Sequence, residues 1–499
     1  MIMYSQINKD KLTKAGRFLL DDITLVSYQS ADGSNTNAKS VSIKTQVLEI
    51  NIYESLEGPG LSGNVVVADG QAIVSHLPLT GYERIEFRLY TPGVGRGYDF
   101  SSLTGHPMYI YKISGRQPTT PRSQLYMLHF CSREMLDNEM TRVNRTLTGS
   151  PDQMVIDIFR NDLQSKKNLI VEETKGLRKY VMPRFKPFKA ISQISTVAEP
   201  LKYASCGMLF YEDATGFRYR SIENMLAVAG AARPVAAKFQ QKPRNVKGGT
   251  GETDIIKEMQ TVDGYEIKDQ FDTLKNLNNG VYASRMVTHD IYNKTFSEID
   301  FDYNTYFPTI FHTEHDGAGG LVDNKSQLPI FNFKDGQLIS DKPEGTLNFV
   351  SSTSKVQNDY EGEPFEELYN KMMAQKLSFR SQVLSLDCKG FTGISVGDLC
   401  SFEVPSYEPQ GMDNPLDIDP YMSGRYLIRK IHHRISTSND MHTMNLECVK
   451  DAIRVPYPEE SIDTFTYREN QDSLTYLQYQ FDDALLENVS DESQNEIMA

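Results

Sequence analysis

The chain has 499 residues, which is too long for one ordinary hydrophobic core, so two to four domains are expected. Its content of 39% hydrophobic and 24% charged residues is that of a globular protein. The formal net charge of −14 disfavours sequence-specific binding of nucleic acid, because contacts between Lys or Arg and phosphates supply much of that affinity. Passive passage of nucleic acid close to the chain is still compatible with this charge.

The cysteine spacing and the hydropathy argue against disulfide-rich, zinc-binding and membrane-spanning proteins. The five cysteines are scattered, odd in number and without CxxC spacing, which argues against a disulfide framework or a zinc module. No apolar run approaches the roughly 18 residues that a membrane-spanning helix needs. The N-terminal segment lacks the apolar stretch of a secretory signal. We therefore expect no membrane partner, and we expect assembly in the cytoplasm.

Residues 1–134 are predicted to form a first small antiparallel β-barrel. Three strand-like runs within residues 41–92 are separated by Gly/Pro turns. In the third run, Ile85, Phe87 and Leu89 alternate with polar neighbours, and this period of two predicts a strand with one buried face.

The segment after these strands contains a glycine-rich loop, GVGRG, at residues 93–97. No amphipathic helix follows it, so no helix N-terminus is available to hold a phosphate, and we predict a flexible hairpin loop. Two more strands are expected at 108–113 and 124–131, joined by a polar loop at 115–122.

Residues 135–228 are predicted to form a compact α+β unit. Ser150-Pro151-Asp152-Gln153 has the form of a capping box with Pro at the first helical position, and an apolar helical stripe follows. A second helix is expected over residues 188–199, bounded by prolines. A hairpin around the turn 214–216 would place Met208 and Phe210 on one face with Phe217 and Tyr219.

Residues 229–362 are predicted to combine a linker with mixed β structure. The stretch 229–251 is small, basic and Gly-rich, which is typical of a linker or a mobile loop. The remainder is predicted to contain a helix near 270–277, strands near 281–290 and 294–303, and an exposed insertion at 312–358.

Residues 363–455 are predicted to form a helix and a second small β-barrel. Phe365, Leu368 and Met372 define the apolar side of the helix. Strand patterns follow over 377–390 and 393–405, and a hairpin is expected around the turn 437–440. The second barrel is comparable to the first in kind.

Residues 456–499 form an acidic C-terminal extension. From Tyr457 onward the sequence contains eleven carboxylates and one basic residue, Arg468, so this segment carries −10 of the total charge. Apolar residues recur in it at loose helical intervals, as at Leu477 and Phe481. Two alternatives follow: an amphipathic segment that folds on a partner, or a disordered tail.

Candidate chemistry is sparse. His312, Glu314 and His315 form an H-x-E-H run that could bind zinc, but the spacing is not that of the helical H-E-x-x-H motif and no further clear ligand accompanies it. The adjacent His432 and His433 point to opposite faces of a strand and cannot clamp one metal. We predict no catalytic, cofactor-binding or metal site, and no enzymatic activity.

Four motifs in order resemble the central baseplate hub protein of contractile-tailed bacteriophages. They are IYESLEGPGLSGNVVVADGQ with LPLTGYERIEF, PFKAISQIST with GMLFYEDATGFRYRSIENM, FDTLKNLNNGVYASRMVTHDIYNKTFSEIDFDY, and GISVGDLCSFEVP with MSGRYLIRKIHHRIS and MHTMNLECVKD. The resemblance extends over most of residues 20–455.

The resemblance implies an α+β, mainly β fold with two small antiparallel tube-type β-barrels around an α+β middle region. It implies a homotrimer whose six barrels make a pseudo-sixfold ring, which joins sixfold tail-tube or tube-initiator proteins to a threefold spike protein while genomic DNA passes the lumen without specific binding. The expected location is the virion tail baseplate. The loop 57–63 is a candidate subunit or tube contact.

Two alternatives stay open from the sequence. One, in the same class, is the hub of a bacterial contractile secretion system or tailocin particle. The other, from a different class, is a cell-envelope hydrolase with a metal site at His312, Glu314 and His315.

Overall fold

The computed structural model describes most of the chain up to residue 453. The described ranges are 12–27, 40–77, 79–103, 105–204, 206–228, 230–241, 252–270, 272–290, 294–315, 347–351, 365–380, 382–405, 418–419 and 421–453. The predicted acidic extension at 456–499 and most of the predicted insertion at 312–358 lie outside these ranges. No helix within these ranges is long and apolar enough to cross a membrane.

The described part of the first 131 residues is almost entirely β structure. Its elements are β1 Leu19–Leu20, β2 Thr24–Val26, β3 Ser40–Ser42, β4 Val47–Ser55, β5 Ser62–Asp69, α1 Ile73–His76, β6 Arg84–Glu86, β7 Arg88–Tyr90, β8 Gly97–Asp99, β9 Met108–Thr120 and β10 Ser123–Cys131. Strands β4, β5, β10, β9, β6, β2 and β3 are successive antiparallel neighbours, and β1, β7 and β8 form a separate small sheet.

The predicted alternation within residues 41–92 is confirmed. Ile85, Phe87 and Leu89 are buried in the core of this first unit, whereas the side chains between them are partly or fully exposed. The GVGRG loop is the predicted hairpin loop, since β7 pairs with β8 in the register Tyr90 to Gly97.

The polar loop expected at 115–122 is mostly strand instead. β9 continues to Thr120 and pairs with β10 as far as Ser123, with three irregularities of register. The side chains of this end of the hairpin are exposed, so the sequence shows no hydrophobic period there, although the backbone ladder continues.

The middle region is the α+β unit that the sequence predicts. Its elements are α2 Arg133–Met140, β11 Thr146–Gly149, α3 Pro151–Asp157, β12 Leu169–Val171, β13 Arg178–Val181, α4 Pro187–Ser195, β14 Met208–Asp213, β15 Gly216–Ser221, α5 Ile222–Leu226, β16 Ala227–Val228 and β17 Ala231–Ala232. The β14–β15 hairpin stacks Phe210 on Phe217 with ring centroids 5.3 Å apart. The Ser150 side chain does not cap α3; the Asp152 N–H donates to Thr174 Oγ1 at 3.0 Å.

The remaining described elements build a hairpin sheet and the second barrel. They are β18 Ala237–Gln241, α6 Glu252–Gln260, β19 Thr261–Asp269, α7 Thr273–Asn278, β20 Ala283–Asp290, β21 Thr295–Asp302, α8 Tyr303–Tyr306, β22 Leu347–Ser351, α9 Phe365–Ser378, β23 Gln382–Lys389, β24 Leu399–Glu403, β25 Gly424–Ser436 and β26 Met441–Lys450. Strands β20 and β21 are the antiparallel pair expected near 281–303.

The second barrel is closed by six strands in the order β24, β18, β19, β23, β26 and β25, with β25 pairing back to β24. Two of these strands, β18 and β19, come from the range that the sequence analysis assigned to a linker and mixed β region. In β18 only Ala237 and Phe239 alternate into the core, a pattern too short to distinguish from a linker.

Strand β25 belongs to both β units. Its first residues pair with β24, and residues from Lys430 to Ser436 pair with β4, so the ladder continues as one thirteen-stranded sheet from β24 to β3. Leu427 and Ile431 enter the core of the second barrel, whereas Ile435 enters the core of the first unit. The mainly β fold predicted from the sequence is confirmed.

Candidate functional site

A polar face covers the central strands of the large sheet, opposite the two hydrophobic cores. Because β25 lies beside β4, it brings together residues that are 381 positions apart in the chain. The polar face consists of side chains from β23, β26, β25, β4 and β5, most of them half-buried or exposed: Asp387, Asn445, Glu447, Lys430, His432, Arg434, Glu49, Asn51, Tyr53 and Asn64.

The centre of the polar face is held by neutral hydrogen bonds. His432 Nε2 lies 2.7 Å from Asn51 Oδ1, and its ring stacks on Tyr53 with centroids 4.6 Å apart. The side-chain amide of Asn51 donates to Asn64 Oδ1 at 3.0 Å. Partial burial lowers the pKa of His432, so the imidazole is neutral at pH 7.

Cations on the polar face lie next to carboxylates. Glu447 is 3.0 Å from Lys430 Nζ, 3.2 Å from Arg429 Nη1 and 3.3 Å from Lys268 Nζ. Burial opposes its ionisation, but hydrogen bonds and charge from Lys430, together with the other two cations, lower the pKa of Glu447. The single carboxylate of Glu447 therefore forms ion pairs with three cations.

A second ion pair joins neighbouring strands of the polar face. Arg434 Nη2 is 2.9 Å from Glu49 Oε2. Against the effect of partial burial, the hydrogen bonds from Arg434 and Asn51 lower the pKa of Glu49. A phosphate that approached these cations would have to compete with the protein's own carboxylates, so the polar face is poorly suited to holding a nucleic-acid backbone.

A buried electrostatic cluster, which we call the junction, joins the first unit, the middle hairpin and the second barrel. Arg96, from the GVGRG loop, is 3.2 Å from Asp213 Oδ2 of β14 and 3.6 Å from Asp398 Oδ2 of the second barrel. Tyr98 Oη donates to Glu54 Oε1 at 2.7 Å, and the backbone N–H of Val396 donates to Glu54 Oε2 at 3.1 Å. The junction thus ties three regions together through one arginine and one glutamate.

Two acids of the junction, Glu54 and Asp213, differ in their pKa. Complete burial, together with the charge of Asp213, raises the pKa of Glu54 to about 7. Burial opposes the ionisation of Asp213 as well, but Arg96 and Arg218 lower its pKa below the ordinary value. Near neutral pH the junction therefore holds an ionised Asp213 beside a Glu54 that is partly protonated.

A second buried cluster fixes the loop after β4 to the middle region. Lys167 Nζ lies 2.8 Å from Glu134 Oε2 and 2.5 Å from Glu212 Oε1. The backbone N–H of Leu61 donates to Glu212 Oε2 at 2.8 Å. The predicted contact loop at 57–63 is thereby engaged within the chain, and its role as a subunit or tube contact stays a prediction.

The H-x-E-H run is built into packing rather than into a ligand cluster. His312 Nδ1 lies 2.8 Å from Asp451 Oδ2, and Lys450 Nζ lies 2.6 Å from Glu314 Oε1. The ring of His315 stacks on Phe311 with centroids 4.7 Å apart. Within the described ranges, no group of three or more His, Cys, Asp or Glu side chains is arranged to hold a metal ion.

The adjacent histidines of β25 lie on opposite faces, as the strand period predicts. His432 lies on the polar face, whereas His433 is fully buried with its Nδ1 3.0 Å from Nε2 of His442. Burial, with the His442 ring beside it, lowers the pKa of His433 well below its usual value, and burial lowers that of His442 to about 3. Both imidazoles are therefore neutral core groups at pH 7.

Neither the polar face nor the junction was predicted from the sequence. The alternation of Lys430, His432 and Arg434 with buried residues was the available signal for the polar face, but it does not reveal which strand lies alongside. Arg96 gave no signal, because its partners come from distant segments. The glycines around Arg96 suggested a phosphate-binding loop instead.

No model of a known protein family matches the chain. A curated relative, the probable baseplate hub protein gp334 of Vibrio phage KVP40, is 22% identical over 419 residues, which are 82% of this chain and 90% of that protein. The resemblance to a phage baseplate hub that the sequence motifs indicate is confirmed by this relative.

Solved structures of phage-tail type also align with the chain. A tail protein from Neisseria meningitidis MC58 is 9% identical, with 87% of this chain and 97% of that chain covered and a TM-score of 0.47. The 43 kDa tail protein of prophage MuSo2 from Shewanella oneidensis is 10% identical, with 87% and 100% covered and a TM-score of 0.46. A type VI secretion system component of E. coli is 9% identical, with 83% and 76% covered and a TM-score of 0.40.

Proposed function

We propose that three copies of this chain form the hub of a contractile phage baseplate, a non-enzymatic adaptor between the sixfold tail tube and the threefold cell-puncturing spike. The observation that carries the proposal is the thirteen-stranded sheet, in which two β units share strand β25. Three chains with two such units each present six similar units around one axis. One ring can then meet neighbours of either symmetry.

The rigid connection between the two units supports this role. A symmetry adaptor needs a fixed angle between its two units, because any hinge would blur the sixfold arrangement. Here β25 is hydrogen-bonded to β24 in one unit and to β4 in the other. The junction adds a second tie between the units, through the contacts of Arg96 with Asp398 and of Glu54 with the Val396 N–H.

The polar face supports the passage of DNA past the ring. It continues across the two units, and its cations Lys430 and Arg434 pair with Glu447 and Glu49. Two cations beside it, Lys268 and Arg429, also pair with Glu447. We place this face toward the lumen, where it would let a genome slide without being held. The proposed partners are a trimeric spike on one side and tube or tube-initiator proteins on the other, within a virion baseplate assembled in the host cytoplasm.

Native mass spectrometry of the purified full chain tests the trimer. We expect a species of three times the 56.6 kDa of one chain, and threefold symmetry with pseudo-sixfold density when images of assembled particles are averaged. A chain that stays monomeric at every concentration, and that is absent from the tail axis of purified particles, would overturn the proposal.

The lumenal assignment has its own test, which is DNA binding at low salt. The double variant Glu447→Gln with Glu49→Gln removes the carboxylates that neutralise the cations of the polar face. We expect the wild-type chain to bind DNA weakly and the double variant to bind at least tenfold more tightly, with a steeper salt dependence. Glu258→Gln with Glu298→Gln is the matched control of equal charge. Equal gains in both double variants would refute the special role of the polar face.

The hub of a bacterial secretion system or tailocin is the alternative within the same class. Images of the assembled particles distinguish this alternative from a phage hub, because only a phage particle carries a DNA-filled head. The hydrolase alternative is disfavoured, since the contacts of His312 with Asp451 and of Glu314 with Lys450 occupy two of the three side chains that suggested it, and the third, His315, stacks on Phe311.

A further inference from the structure

A pocket of about 350 Å³ opens where helix α9 meets both β units and the middle region. Its apolar wall is formed by side chains from the end of β4, from β14, α5 and α9, and from β25 and β26, namely Leu56, Leu209, Ile222, Phe379, Leu427 and Val449. Its volume is suited to one large apolar side chain and a neighbouring polar group.

One charged side chain, Lys376, lies among the apolar residues of this pocket. Lys376, in the last turn of α9, lines the pocket. Burial alone lowers the pKa of Lys376 to about 8. Across the part of the chain that the structure describes, no carboxylate forms an ion pair with it. Lys376 is half-buried, and an ammonium that is partly removed from water costs stability unless a counter-charge is close.

The rim of the pocket is also short of negative charge. Arg380 Nη2 and Arg429 Nη2 share one carboxylate, with distances of 2.8 Å and 2.7 Å to Glu57 Oε1. Arg429 receives a second carboxylate from the polar face, Glu447, at 3.2 Å. The residues that line the pocket thus include three cations and one carboxylate, in a chain whose net charge is −14.

We propose that this pocket is a docking site for a segment of a partner protein in which an acidic residue stands beside a large apolar residue. The apolar side chain fills the pocket, and the carboxylate pairs with Lys376 under the rim formed by Arg380 and Arg429. Charge complementarity selects this partner: a basic or neutral segment would leave the ammonium uncompensated, whereas a carboxylate in a half-enclosed site gains a charge-assisted hydrogen bond.

The proposal does not rest on the trimer or on the lumenal polar face. Failure of ring formation leaves the pocket and its chemistry unchanged, and failure of docking leaves the ring proposal standing. The two proposals are also tested by different variants. Glu447 contacts Arg429 at the rim, but the docking test leaves Glu447 and Glu49 unchanged and substitutes only lysines of α9.

The test uses the full chain and a labelled twelve-residue peptide that alternates glutamate with leucine, followed by fluorescence anisotropy. We expect binding to the wild-type chain, and binding at least tenfold weaker for a peptide with glutamine in place of glutamate. Lys376→Met should weaken binding by about tenfold or more, whereas Lys376→Arg should retain it. The matched control is Lys371→Met, which removes the same charge from the same helix outside the pocket.

Stability of the unliganded variants separates docking from a purely structural role. A desolvated lysine kept for a partner predicts that Lys376→Met raises the melting temperature, because a buried charge is replaced by an apolar side chain of similar length. A lowered melting temperature together with unchanged peptide affinity would overturn the proposal. So would equal binding of the glutamine peptide. Binding of hexanoate without binding of the glutamate peptide would also overturn it, in favour of a small amphiphilic ligand.

Discussion

Replacement of Glu54 by glutamine tests the electrostatics of the junction most directly. Glu54 is 1% exposed, and its pKa is raised to about 7 from an ordinary value of 4.5. The folded chain therefore binds a proton between pH 4.5 and pH 7 that the unfolded chain does not bind. The stabilisation from this group is full below about pH 4.5 and is lost as the pH rises through 7.

The size of the effect follows from the two pKa values. A difference of about 2.5 pKa units corresponds to roughly 3 kcal/mol of stability, present in acid and absent at pH 8. Glutamine keeps the shape of the protonated acid. Its oxygen can accept from the Val396 N–H, and its amide can donate to Tyr98 Oη. Arg96 still has the carboxylates of Asp213 and Asp398 after the change.

We therefore expect Glu54→Gln to be more stable than the wild-type chain at pH 8, by up to about 3 kcal/mol, and to differ from it by less than about 1 kcal/mol near pH 5. Urea unfolding midpoints at pH 5, 6, 7 and 8 measure this difference. Glu49→Gln is the control on the same strand: the pKa of Glu49 is lowered by Arg434, so this variant loses stability at pH 8 instead. If Glu54→Gln were less stable at pH 8, the charge of Glu54 would be required and the reasoning would be wrong.

Three further substitutions, two of them with a matched control, have expected effects on the urea midpoint. Arg96→Met should lower the free energy of unfolding by about 3 kcal/mol, because two carboxylates of the junction lose their shared cation. Gly63→Ala places a Cβ 2.3 Å from a backbone oxygen of the neighbouring strand and should cost about 1–3 kcal/mol, whereas Gly70→Ala, with open space around its Cβ, should be nearly neutral. Ile435→Ala should cost about 2–5 kcal/mol, because the side chain is fully buried, and Leu48→Ala, at 41% exposure, less than about 0.5 kcal/mol. Equal midpoints within either matched pair would contradict the assigned packing.

The local secondary structure of the chain can be predicted from its sequence. The helix at Pro151–Asp157, the β14–β15 hairpin and the long hairpin of β25 and β26 all follow from periodicity and turn residues within a short window. These elements depend on neighbours in the chain, so one sequence is sufficient to predict them.

The pairing between distant strands is not legible in the same way. β25 and β4 both alternate polar and apolar residues, but alternation is shared by many strands and does not choose a partner. The same limit applies to β18, which is short and pairs on one side with β24, a strand about 160 residues further along the chain. The role of Arg96 could not be predicted for the same reason, since its ion-pair partners come from two other regions of the chain.

The shared strand β25 has a mechanical consequence. A load that pulls the two β units apart along β25 acts on the ladders to β26 and β4 at the same time. Antiparallel strands pulled along their length resist in shear, so many hydrogen bonds have to break together. One β unit therefore cannot slide along β25 without carrying the other unit with it. In the proposed ring, this coupling would pass a load from one unit to the other instead of absorbing it.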